Sequence, residues 1–271
     1  MKMKSLKKFN FFNNFLIILC GLPASGKSTF AQRIKELIEA NSNQIVKIVD
    51  PDVIRKLLSP KFNFTLEKNV RNKHLANIEY YLKQGIIAIS DDLNYYSSMR
   101  HQLKDIAEKF DKKFYIIHIS TPLETCLKWN KLRGNPIPNN IIQRINKKFD
   151  KFLNYQWDTP KLVLDISNTD DLEPKITNFL NFLEDELKKG TVKYSPSNKF
   201  AEQLDIITRK IISELFQDKD MLKDKSKILK LRKTFIKERL KGNKFSKNLK
   251  EDFIKFLNEN VETNKYKEKK K

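Results

Sequence analysis

A chain of 271 residues, 39% hydrophobic and 11% aromatic, can bury a sizeable core over one or two domains; 6 Gly and 9 Pro exclude collagen-like and low-complexity classes. Two cysteines, Cys20 and Cys126, exclude a disulfide scaffold and a cysteine-based zinc module. The 54 Lys and Arg against 33 Asp and Glu leave a net charge of +21, which directs attention to phosphate-rich partners, nucleic acid or a membrane surface.

Lys2, Lys4, Lys7 and Lys8 precede an apolar stretch and imitate a signal peptide. Asn13 and Asn14 cut that stretch down to Phe15–Cys20, which suits a buried strand and falls far short of a membrane span. No other segment approaches that length, so a reduced, cytoplasmic setting and no membrane contact are expected. Further apolar runs at Ile45–Val49, Ile86–Ser90, Phe114–Ile119 and Lys161–Ile166 also lack polar alternation, as parallel strands covered on both faces should. Helices are predicted near Ser28–Ala40, Val53–Leu58, Thr65–Gln84, Ser98–Phe110, Pro122–Leu132, Asn139–Phe149 and Leu172–Lys188. The fold class is therefore α/β, a doubly wound parallel sheet over residues 1–190.

Gly190–Asn198 reads as a linker, and beyond it the pattern is helical only. Phe200, Leu204, Ile207, Ile211 and Leu215 form one apolar face; Leu222, Leu229 and Phe235 to Leu240 suggest a second helix, and Leu249, Phe253, Phe256 and Leu257 a third. A small all-α basic domain is expected over 191–264, followed by a disordered Lys-rich tail over 265–271. Residues 191–271 hold 23 Lys and Arg against 12 Asp and Glu, about half of the net charge in under a third of the chain.

The most specific signal is Gly21-Leu22-Pro23-Ala24-Ser25-Gly26-Lys27-Ser28-Thr29, a P-loop between a buried strand and a helix. Its glycines let backbone N–H groups face a phosphate chain, Lys27 adds a point charge near the β- and γ-phosphates, and Ser28 offers a hydroxyl to Mg²⁺. ATP and Mg²⁺ are the cofactors this loop implies. The acceptor is sought at the ends of the other strands. After the second stand Asp50 and Asp52, either of which can cap the following helix; Asp52 is favoured as the group that orients or deprotonates an attacking hydroxyl, with Arg55 one turn later. After the third, Asp91, ahead of Asp92, is the candidate for holding Mg²⁺. After the fourth, Arg133 before Gly134 is the candidate for a lid cation. His74, His101 and His118 read as packing or surface residues.

Asp91-Asp-Leu-Asn-Tyr-Tyr-Ser-Ser-Met-Arg100, taken with the P-loop, Asp52-x-x-Arg55, Arg133-Gly-x-x-Ile-Pro138 and Phe149-Asp150…Trp157-Asp158-x-Pro160, resembles the archaeal O-phosphoseryl-tRNA(Sec) kinases. The likeness is close over residues 15 to 170 and looser in the helical tail, where Asp205-x-x-Thr-Arg-Lys-Ile-Ile-Ser-Glu214 is similar to that family's tRNA-binding region. It implies a kinase domain taking ATP and Mg²⁺, and a helical domain gripping tRNA(Sec) that carries serine. It further implies that Asp52 and Arg55 flank the seryl acceptor and that Asn94, Tyr95 and Arg100 form the strand-three signature at the substrate. A homodimer is compatible with this reading. Trp129 departs from the family's pattern by standing where the first of two lid arginines is expected, which leaves Lys128 or Arg133 to supply the charge. The rival readings are a tRNA-stimulated ATPase related to the elongator-associated tRNA-modification factor, which shares the P-loop and strand-three motif, and a nucleotide-dependent RNA-binding regulator.

Overall fold

A computed structural model of the chain describes residues 8–59, 63–152, 155–167, 172–189, 199–216, 221, 223–242 and 248–260. The chain divides into two compact units, 1–193 and 194–271. The expected linker, 190–198, and the Lys-rich tail, 265–271, lie outside the described residues, as does Leu222.

The first unit runs β1 (Leu16–Gly21), α1 (Lys27–Asn41), β2 (Val46–Val49), α2 (Pro51–Leu58), α3 (Glu67–Lys83), β3 (Ile87–Ser90), α4 (Ser97–Lys109), β4 (Phe114–Ile119), α5 (Leu123–Leu132), α6 (Asn139–Lys148), β5 (Leu162–Leu164) and α7 (Leu172–Lys188). Its sheet has the order β2-β3-β1-β4-β5, and every described pair is parallel. This is the doubly wound α/β fold that the apolar runs predict. All six residues of β1 are buried because it lies at the centre with helices on both faces. The edge strands depart from the expectation of full coverage. Lys47 on β2 is exposed, and Val163 on β5 is 56% exposed, because an edge strand keeps one face open.

The segment before β1 belongs to this core. Phe9, Phe11, Phe15 and Tyr115 form a chain of rings with centroids 5.5–5.7 Å apart. Asn14, which interrupts the apolar run in sequence, is buried and donates its side-chain amide to the carbonyls of Leu82 at 2.8 Å and Ile86 at 3.0 Å, tying the turn between α3 and β3 to the start of β1. Among the described residues, no helix is long and apolar enough to cross a membrane.

The second unit is helical: α8 (Lys199–Leu215), α9 (Lys225–Gly242) and α10 (Leu249–Asn260). Leu204, Ile211, Ile228, Phe235, Phe253 and Leu257 build a core of their own. The lysines of α9 at 225, 227, 230, 233 and 237 face solvent.

Candidate active site

The loop joining β1 to α1 is shaped by close approaches. Gly21 lies so near the neighbouring strand that a Cβ there would sit 2.6 Å from the Ile119 carbonyl oxygen. Gly26 caps α1 with φ 91°, and a Cβ there would run into the Ile166 side chain. Ala24 adopts a left-handed φ of 60°, which completes the turn. The Thr121 hydroxyl, just past β4, donates to the Ser25 carbonyl at 2.9 Å and ties the loop to the neighbouring strand end. Lys27 is buried, and its ammonium folds back onto the loop, donating to the carbonyls of Leu22 at 2.7 Å and Gly21 at 3.2 Å. Burial lowers its pKa, while Asp91 and Asp92 pull the other way. The result is a concave backbone with a cation at its mouth and the positive end of α1 behind it, the arrangement that receives a phosphate chain.

Beside this cradle, at the end of β3, Asp91 is buried and accepts a hydrogen bond from Ser28. Burial raises its pKa to about 6, against the pull of Ser28 and Lys27. Asp92 is engaged elsewhere: its carboxylate accepts from Arg71 at 3.1 Å and from the Leu93 N–H at 2.7 Å. The structure thus separates two residues that read alike in sequence, leaving Asp91 with Ser28 as the hydroxyl–carboxylate pair facing the cradle. Among the described residues, no group of three or more His, Cys, Asp or Glu forms a metal cage. One carboxylate and one hydroxyl suit Mg²⁺, which keeps several waters and takes the rest of its shell from phosphate oxygens.

At the end of β2 the two aspartates also divide their work. The Asp50 carboxylate accepts the Asp52 N–H at 2.7 Å and caps α2; burial raises its pKa. Asp52 is left exposed and pairs with Arg55. Arg55 in turn is held in two bonds by Glu67, Nε to Oε1 at 2.7 Å and Nη2 to Oε2 at 2.9 Å. Glu67, at the start of α3, was not anticipated from sequence. It holds the guanidinium through two bonds, and Asp52 remains 74% exposed beside it.

Two residues of the strand-three signature, Asn94 and Arg100, are fully buried in this structure. Asn94, at a left-handed φ of 41°, donates to the Leu19 carbonyl at 2.8 Å and the Ser90 hydroxyl at 3.2 Å, binding the ends of β1 and β3 together. Arg100 makes two 2.5 Å bonds to Asp158, a third at 2.9 Å to the Asn94 carbonyl, and stacks over Phe152 at 4.5 Å. The Trp157-Asp158-x-Pro160 stretch therefore serves as the counter-ion of this arginine. Tyr95 alone of the three remains half-exposed, tilted against Tyr96 with ring centroids 4.1 Å apart. Burial and the Tyr96 hydrogen bond raise its pKa, and the charge of Arg144 on α6 lowers it, a proximity that sequence did not signal.

Arg133 stands exposed at the end of α5, its turn fixed by the Asn130 amide donating to the Ile137 carbonyl at 2.7 Å. Trp129 is a half-buried wall of the loop: it packs against the core, with its ring 3.6 Å from where a Gly26 Cβ would lie. In the helical unit, the Asp205-x-x-Thr208-Arg209 stretch also turns inward. Asp205 and Thr208 are buried, Arg232 pairs with Asp205 and donates to the Thr208 hydroxyl at 3.0 Å, and Arg209 pairs with Asp205 at 2.6 Å. Asp205 and Thr208 join α8 to α9 and are not available to a partner.

A family profile described as chromatin associated protein KTI12 matches residues 15–269. The L-seryl-tRNA(Sec) kinase of Methanococcus maripaludis is 32% identical over 256 residues, 91% of this chain and 99% of that one. A KTI12 homolog of Arabidopsis thaliana is 25% identical over 229 residues, 76% of each chain. In fold, the chain resembles the crystal structure of Chaetomium thermophilum Kti12 in complex with ADP-AlF3, at a TM-score of 0.52 and 21% identity, covering 64% of this chain and 98% of that one. The chain belongs to this family of P-loop proteins, which brings together the L-seryl-tRNA(Sec) kinases and the KTI12 proteins.

Proposed function

We propose that the protein is an ATP-dependent kinase that converts the seryl group of Ser-tRNA(Sec) to O-phosphoserine. The observation that carries this reading is the near-full-length likeness to a protein named L-seryl-tRNA(Sec) kinase, set on a site with a phosphate cradle and an exposed Asp52 paired with Arg55. Gly21 to Thr29 and Lys27 bind the triphosphate. Ser28 and Asp91 would hold a magnesium ion, which when bound disperses the charge of the terminal phosphates. Asp52 orients the seryl hydroxyl and takes its proton as the hydroxyl oxygen bonds to the terminal phosphorus; the bond from that phosphorus to the β–γ bridging oxygen breaks and ADP leaves. Arg55, braced by Glu67, neutralises the transferring group, and Arg133 or Arg144 adds charge when the substrates are in place. Asn94 and Arg100 position the loop that carries Tyr95. A serine ester offers little surface of its own, so affinity comes from the RNA body through the exposed lysines of the helical unit.

A second reading, a tRNA-stimulated ATPase, is favoured by the KTI12 family profile. Labelled ATP separates the two. With the label in the γ-phosphate and either Ser-tRNA(Sec) or Ser-tRNA(Ser) as acceptor, alkaline hydrolysis of the ester should release labelled phosphoserine from tRNA(Sec) alone. Labelled inorganic phosphate stimulated by tRNA, with no phosphoserine, would establish the ATPase.

A further inference from the structure

Past the end of β4 lies an open cleft of about 480 Å³ that the phosphate loop alone does not explain. Leu22 of the loop forms one side; His118, Asn146, Phe149, Lys151 and Phe152 are among the residues that line the rest. The rings converge, His118 lying 5.4 Å from Phe149 and 4.9 Å from Phe152, centroid to centroid. Phe152 is held from beneath by Arg100. Burial, and secondarily Arg100, lower the His118 pKa to about 4, so the ring is neutral and apolar in character at physiological pH.

The loop itself indicates which substrate this cleft serves. In a P-loop the lysine meets the β- and γ-phosphates. Here the Lys27 ammonium lies at the Gly21 and Leu22 carbonyls, which marks that end of the loop as the γ end. The opposite end, Gly26, is walled by Ile166 and Trp129, neither of which lines the cleft. A triphosphate laid along the loop directs its transferable phosphate towards the cleft and its base away from it. The sheet order then matters: the cleft is one strand to one side of the loop, and Asp52 follows β2, two strands to the other side. A molecule seated in the cleft points its far end across the γ-phosphate position towards Asp52.

We propose that this cleft seats the 3′-terminal nucleoside of the acceptor RNA, with its base stacked on Phe149 and His118. The proposal rests on the kinase reading above and names the part of the acceptor that the catalytic unit grips. Aromatic side chains are the usual platforms for unpaired RNA bases, each stack contributing about 1–3 kcal/mol. The Asn146 amide can address a base edge, and exposed Lys151 a phosphate of the preceding linkage.

The test uses the full-length protein and Ser-tRNA(Sec) whose 3′-terminal adenosine is replaced by 2-aminopurine riboside, a fluorophore quenched by stacking. Binding should quench the fluorescence; Phe149→Ala should remove most of the quench, Phe149→Trp should keep it, and a saturating non-hydrolysable ATP analogue should leave it in place. No quench with the wild type, or an equal quench in Phe149→Ala, would overturn the assignment. So would competitive loss of the quench on adding the analogue, which would give the cleft to the nucleotide base instead. Phosphoserine is scored in parallel samples with ATP and magnesium: a quench without phosphoserine leaves the cleft as an RNA-end site and removes the kinase reading.

Discussion

The two units use charge in opposite ways. In the sheet unit four ionic groups are turned inward: Lys27, Asp91, Arg100 and Asp158 are all buried, each with a specific partner, while Asp52 stays exposed beside Arg55. In the helical unit one inward cluster, around Asp205, joins two helices, and the lysines along α9 face solvent. Buried charges need exact partners and then fix geometry, as chemistry at a single phosphorus requires. Exposed lysines on a helix suit a regular polyanion. On the proposed reading, the difference assigns reaction and affinity to separate parts of the molecule.

That division can be broken one part at a time. Replacing Asp52 with Ala should give the largest effect, a loss of about 10²–10⁴-fold in kcat for phosphoserine formation, with the KM for ATP nearly unchanged; a rise in ATP KM at constant kcat would make Asp52 a nucleotide-binding residue. Arg100→Met should cost about 3–5 kcal/mol of stability, because it leaves the Asp158 carboxylate buried without its counter-ion. Denaturant unfolding measures this, and the added change Asp158→Leu should recover much of the loss. On the other unit, Lys230, Lys233 and Lys237 stand at steps of three and four along one exposed face of α9. Changing all three to Gln should weaken tRNA binding and reduce the slope of log K against log salt by about one for each lysine that meets a phosphate. An unchanged slope would place the grip elsewhere.

The smallest effect concerns pH. Asp91 must be ionised to hold a cation, and burial raises its pKa to about 6. Above that pH it is a carboxylate and affinity for magnesium nucleotide is at its plateau; at pH 5 roughly a tenth of the molecules keep it ionised, and affinity should fall accordingly. Titration of nucleotide binding from pH 8 to 5, with and without magnesium, measures it, and a flat profile would shift the cation to another ligand.

The sheet was legible in sequence because its strands are largely apolar and helices lie between them; the open faces of β2 and β5 were missed, although Lys47 on β2 marks one of them. The phosphate loop was legible because its function is written in consecutive residues. The partners that sharpen the site were not. Glu67 is 12 positions from Arg55, and Arg71 is 21 from Asp92; neither separation leaves a periodic trace. Arg100 and Asn94 were placed at the substrate by the family resemblance alone, and nothing local reveals that Asp158, 58 residues later, draws Arg100 inside. His118 looked like a strand residue of no consequence until α6 and the segment after it brought Phe149 and Phe152 against it.

Asp52 pairs with Arg55 and its side chain is 74% exposed, so the chemistry turns on where the acceptor hydroxyl meets it. A crystal structure with a non-hydrolysable ATP analogue, magnesium and a stable amide analogue of the seryl-tRNA 3′ end bears on it most directly. Expected is the Asp52 carboxylate within about 2.6–3.2 Å of the seryl hydroxyl, with that oxygen in line with the terminal phosphate. A seryl group held next to the terminal phosphate while Asp52 still points into solvent would contradict the assignment.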